Sequence, residues 1–62
     1  MITDIKELID GLELDEFGAV TAMLNYITED ATIGGITKRL GDISNIVHER
    51  AEREVENADE EI

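Results

Sequence analysis

Ile33, Ile36, Leu40, Ile43 and Val47 recur at alternating intervals of three and four residues. That spacing is the apolar seam of an α-helix lying against another helix. Beyond Val47 the seam thins. Arg50 and Glu54 take the next two heptad positions, and Ala51, Val55, Ala58 and Ile62 carry on a weaker apolar stripe. A helix from about Ile36 to Glu60 would be about 37 Å long, whereas a compact chain of this length has a radius of gyration of about 11 Å. Such a helix overhangs its own domain and predicts a partner.

Two shorter helices are predicted before it. The first spans about Asp4 to Asp10. Thr3 or Asp4 caps it, Asp4 and Glu7 have the capping-box spacing, and Ile5, Leu8, Ile9 and Leu12 form its apolar face. Gly11 is expected to end it in the left-handed conformation. The second begins near Asp15 as N-cap and runs to about Glu29 or Ala31, with Phe17, Val20, Leu24 and Ile27 on one face, widened by Ala19, Ala22 and Met23. Gly18 costs it about 1 kcal/mol of helix propensity. Phe17 and Tyr26 fall on opposite sides of this helix, so one belongs to the core and the other to the surface or an interface.

Gly34-Gly35 is the strongest breaker in the chain, and the third helix is read as starting after it. In heptad terms Ile33, Leu40 and Val47 sit at a, and Ile36 and Ile43 at d. Small residues at e (Thr37, Ser44, Ala51) and apolar Ile46 at g suit a broad bundle face better than a two-stranded zipper, and Gly41 would admit a neighbouring backbone. No sustained period-two alternation marks a strand. The expected fold class is therefore all-α: two short helices followed by one long amphipathic helix, in a single domain over residues 1–62, with fraying from about Asn57. The expected assembly is a dimeric bundle or higher oligomer, with Ile33, Ile36, Leu40, Ile43, Ile46, Val47 and Ala51 at its interface.

Composition sharpens this picture. Sixty-two residues make a marginal core. The chain has no Cys and one His, so disulfides, thiolate zinc sites and multi-histidine metal sites are excluded. Oligomerisation is the remaining way to add stability. The lack of Cys fits a cytoplasmic location. Met1-Ile2-Thr3-Asp4-Ile5-Lys6 does not read as a signal peptide, and no apolar run is long enough to cross a bilayer.

The net charge is −11, distributed as −5 over residues 1–16, −1 over 17–47 and −5 over 48–62. Acidic ends around a nearly neutral middle repel nucleic acid and anionic membranes. The partners this pattern predicts are a second copy, through the middle, and a basic protein surface, through the ends. Within the last helix, Glu49–Arg53 and Arg50–Glu54 are favourable i,i+4 pairs.

Catalytic and metal-binding readings fail residue by residue. His48 lies four residues after Ser44, but two neighbours on one helix supply no oxyanion hole and no pocket. Asp10, Glu13, Asp15 and Glu16 crowd a turn, yet Leu12 and Leu14 stand where an EF-hand needs oxygen ligands. Lys38 and Arg39 follow Gly34-Gly35 without a phosphate-loop spacing. Met23 reads as core filler. No enzyme, cofactor or metal is expected.

What remains is a non-enzymatic acidic regulator or inhibitor. Glu49, Glu52, Glu56 and Glu60, at spacings of three, four and four, lie close to one helix face and are the candidate partner-binding residues. Carboxylates on successive turns stand about 5–6 Å apart, a ladder suited to a basic site that ordinarily receives phosphates. In size and charge the chain resembles the small acidic inhibitors made by bacteriophages and other mobile elements, some of which mimic DNA. The other reading is a structural oligomerisation module whose acids only keep it in solution.

Overall fold

Asp4 opens the first element. Its carboxylate accepts the Lys6 amide at 3.0 Å, satisfying one of the free donors at a helix start. The helix that follows, α1 (Ile5–Gly11), turns Ile5 and Ile9 fully inward. The coordinates are a computed structural model, and the structure describes residues 4–60, with side chains to Ala58. Thr3, the other candidate cap, and Ile62, at the end of the expected stripe, lie outside the described residues. Gly11 stays within the helix. The chain leaves through extended Leu12, whose amide donates to the Ile9 carbonyl at 3.3 Å, so no left-handed glycine ends α1.

Glu13, two residues earlier than expected, is the N-cap of α2 (Leu14–Leu24). Its amide donates to the Glu16 carboxylate at 2.9 Å. The helix ends at Leu24, well short of Glu29 or Ala31. The Asn25 and Tyr26 amides close its last turn on the Ala22 and Met23 carbonyls. Beyond them the stretch to Thr37 is rich in β-branched residues, Ile27, Thr28, Thr32, Ile33, Ile36 and Thr37, which are stiff at χ1 and better accommodated on a pleated strand.

That stretch overturns the all-α expectation. The chain forms an antiparallel hairpin of β1 (Asp30–Ile33) and β2 (Ile36–Arg39), so the fold is mixed, in the order α-α-β-β-α. Gly34 and Gly35 are its two-residue turn, at φ +59° and +86°. Positive φ at both central positions gives the turn whose twist matches the flanking strands. Ile33 pairs with Ile36 and Thr32 with Thr37, whose hydroxyls stand 3.2 Å apart on the exposed side. A Cβ built on Gly34 would meet the Leu8 side chain at 3.0 Å, so the turn rests directly on α1.

The Leu40 amide donates to the Glu29 carbonyl at 2.7 Å, one pair beyond the Asp30–Arg39 pair that ends the hairpin, and α3 (Leu40–Glu60) starts there with no intervening loop. Asp42 lies in its first turn, where the helix dipole favours an acid. Ile43 and Val47 meet Ile5 and Ile9 of α1, Phe17 of α2 and Ala31 of β1 in the buried core. A helix of this length runs about 31 Å, close to the longest dimension of the molecule, 38 × 27 × 17 Å.

Candidate interaction surface

Arg50 stands at the centre of the molecule's polar organisation. Only 7 % of it is exposed, among the lowest values for any charged residue described. Its Nη1 donates to the Ile9 carbonyl at 2.6 Å, near the C-terminal end of α1. Its Nε donates to the Glu54 carboxylate at 3.3 Å, and its guanidinium carbon lies 4.5 Å from the centre of the Phe17 ring. One side chain thus fastens α1, α2 and α3 together. A buried cation is tolerated because it meets a carboxylate, a carbonyl dipole and an aromatic face at once. Heptad counting shows Arg50 only as a gap in the apolar seam. Its place beside Phe17, 33 positions earlier in the sequence, is a tertiary fact with no local signal.

Two further ion pairs bind α1 to α3. Arg53 pairs with Asp10, and Lys6 Nζ lies 3.6 Å from Glu49. Of the two expected i,i+4 pairs, Arg50–Glu54 forms, while Glu49 and Arg53 are each drawn to α1. The acidic turn separates by role in the same way. Asp10 joins the inter-helix pair, Glu16 accepts the Glu13 amide, and Asp15 accepts the Glu16 amide at 2.9 Å. These carboxylates serve the helix ends. Among the described residues no group of three or more candidate ligands could hold a metal ion.

The candidate partner-binding row lies on the outer side of α3. Glu49, Glu52 and Glu56 are all exposed. Glu52 also stands 3.0 Å from His48 Nε2, with both side chains solvated, and the two line an open depression with Ala51, Val55 and Glu56. Glu60 is the last residue of α3, and its side chain lies outside those described.

The expected oligomer seam is used inside the chain. Ile33 and Ile36 belong to the hairpin, so they cannot extend a helical heptad into α3. Ile43 and Val47 are buried in the core, and Ile33, Ile36, Ile46 and Ala51 pack around it. Leu40 is half-buried where β2 enters α3. Lys38 and Arg39 lie on β2 opposite Ala31 and Asp30 and enter no ion pair among the described residues. Gly41 meets no neighbouring atom that would call for a glycine.

A second surface was not singled out from the sequence. Leu14, Met23 and Tyr26 are 66 %, 58 % and 88 % exposed. Met23 also lines a groove of about 260 Å³ between α2 and the hairpin, with Val20, Leu24, Ile27, Thr32, Ile33 and Gly34. No charged residue occurs from Phe17 to Thr28, nor from Ala31 to Thr37. The fold brings these two neutral segments side by side. The sequence signal is the charge-free run itself, part of the nearly neutral middle that predicts contact with a second copy.

Among the described residues no helix is long and apolar enough to cross a membrane. Comparison with protein-family models, curated proteins and solved structures finds no match to this chain.

Proposed function

We propose that this protein is a non-enzymatic acidic binding protein that engages a basic protein surface through the outer carboxylates of α3. The observation that carries this reading is the exposed row Glu49, Glu52 and Glu56 on a rigid helix. A helix holds its carboxylates about 5–6 Å apart on successive turns, and fixed spacing distinguishes recognition from a diffuse cloud of charge. The arrangement of the cations supports it. Arg50 and Arg53 are engaged within the fold, Lys6 reaches only Glu49 at the start of the row, and Lys38 and Arg39 sit at the opposite end of α3 from Glu56. The outer C-terminal half of α3 therefore presents mostly negative charge. A ligand occupying it would carry Lys and Arg side chains. A protein site built for a phosphate backbone has that chemistry, and the acidic row would compete for it as a charge mimic.

The test is capture from a lysate of the source cells, comparing the wild type with a variant carrying Glu49→Gln, Glu52→Gln and Glu56→Gln together. Circular dichroism should show an intact fold in the variant, because all three side chains are exposed. The wild type should retain basic proteins at low ionic strength and release them at about 1 M salt, where the Debye length is about 3 Å. The triple variant should lose them at both. Equal retention by wild type and triple variant, with the same response to salt, would rule out a role for the row.

A further inference from the structure

The neutral face is organised differently from the rest of the surface. Leu14, Gly18 and Ala22 form one i±4 row on the exposed side of α2. Tyr26 follows after another four residues, in the turn that closes the helix, with its amide on the Met23 carbonyl at 2.9 Å. The row reads large, small, small, large. Nothing inside the protomer asks for the small residue in the middle of it, because a Cβ on Gly18 would meet no atom within 4 Å.

From this pattern we infer that α2 is the docking site for a second copy of the same chain, packed antiparallel about a two-fold axis. A two-fold contact brings a surface against itself reversed, so a row that reads the same in both directions complements itself. Leu14 then meets Tyr26 of the second copy, and Gly18 meets its Ala22. The small central pair lets the two helices approach to the short end of the usual 8–10 Å interaxial range, with their i±4 ridges crossing at about −50°. The same register sets Asp15 opposite Asn25 of the second copy, whose amide can donate to the carboxylate.

Charge favours this occupant on this face. A chain of net charge −11 repels its own copies wherever acids face acids. The surface made by Phe17–Thr28 and Ala31–Thr37 is free of charged residues, so two copies meeting there keep most of their carboxylates away from the contact. Glu16, at its edge, is turned back to the Glu13 amide. Depletion of charge with exposed Tyr and Met is also the composition of interface centres. Met23, on the flank of the row, also lines the 260 Å³ groove between α2 and the hairpin. The contact leaves Glu49, Glu52 and Glu56 outside, so it stands whether or not the acidic row binds a basic partner.

Sedimentation velocity on the full chain tests it, at roughly 0.1 mM protein and about 1 M NaCl to screen the net charge. The wild type should sediment as a dimer. Ala22→Glu should weaken the dimer by about 100-fold or more, because it places a charge in the centre of a dry contact. Tyr26→Asp, in a turn and not in the helix, should do the same, and it keeps the test valid if Ala22→Glu disturbs α2. Val55→Glu, on the exposed flank of α3, should leave the dimer intact. The native chain has no cysteine, so an equimolar mixture of Gly18→Cys and Ala22→Cys chains should oxidise preferentially to the mixed disulfide. A wild type that remains monomeric, a dimer that survives both α2 variants, or one abolished by Val55→Glu would each overturn the proposal.

Discussion

Helices α2 and α3 both give one side to the same core, and their outer sides could hardly differ more. After its first turn, which holds Asp15 and Glu16, α2 carries no charge, and Gly18, Ala19, Thr21, Ala22 and Met23 stand exposed there. Outward from Ile43 and Val47, α3 carries Asp42, Glu49, Glu52 and Glu56. The segments that carry no charge are Phe17–Thr28 and the hairpin centre Ala31–Thr37. The segregation divides the surface into a face that repels copies of itself and a face that does not. Arg50 is where the two regions meet, on α3 but stacked against Phe17 of α2.

Removing that junction should have the largest effect. Arg50→Ala deletes a charge-assisted hydrogen bond and a desolvated cation–π contact, each worth about 2 kcal/mol. With partial relaxation, a loss of about 3 kcal/mol is expected, enough to unfold much of a domain this small. Urea denaturation followed by circular dichroism measures it. Arg50→Lys should recover only part, because an ammonium lacks the planar fork. Near-wild-type stability in Arg50→Ala would mean that the two regions are held together by the apolar core alone.

The hairpin borders the neutral face, and Gly34→Val attacks its turn. The substitution forces a β-branched residue to φ +59° against the Leu8 side chain, at an expected cost of about 2 kcal/mol. Gly35→Ala, where φ is also positive but space is open, should cost less, about 1 kcal/mol. The ratio of the two in thermal melts separates strain in the backbone from contact with α1.

Gly18→Ala divides the comparison more finely. In the protomer the site is open, so the helix should gain about 0.5–1 kcal/mol. If α2 also packs on a second copy, the added methyl should weaken association even as it stabilises the fold. Melting temperature and sedimentation would then move in opposite directions. Movement together would mean that close helix approach at Gly18 is not needed.

The smallest effect belongs to the acidic side. Lys6→Gln removes a solvated partner of Glu49 and should cost less than about 0.5 kcal/mol, the usual worth of an exposed pair. A loss above about 1 kcal/mol in a denaturant titration would show that the acidic side is tied to the fold more tightly than its exposure suggests.

The hairpin also marks where local reading went astray. Thr32-Ile33-Gly34-Gly35-Ile36-Thr37 is symmetric about two glycines, with β-branched residues on both sides, and that is a hairpin signature. Ile33 and Ile36 are three apart, which also satisfies a helical period. Heptad counting absorbed them into a helix even though the glycines between them oppose one. A spacing shared by two templates is settled by what lies between the apolar residues, and here that was a pair able to take positive φ.

The sequence by itself determined the local elements whose cause is local: α1 with its Asp4 cap, the body of α2, and the apolar stripe of α3 from Leu40 onward. It also determined the uneven distribution of charge. Only the tertiary structure decided what those elements face. It turned Ile43 and Val47 into the chain's own core, drew Arg53 and Glu49 away from each other toward Asp10 and Lys6, and buried Arg50 between Ile9 and Phe17. It also laid two neutral stretches side by side as one exposed face. Helix and turn preferences act over a few residues, whereas burial and ion pairing join positions tens of residues apart, and no local pattern contains the geometry that brings them together.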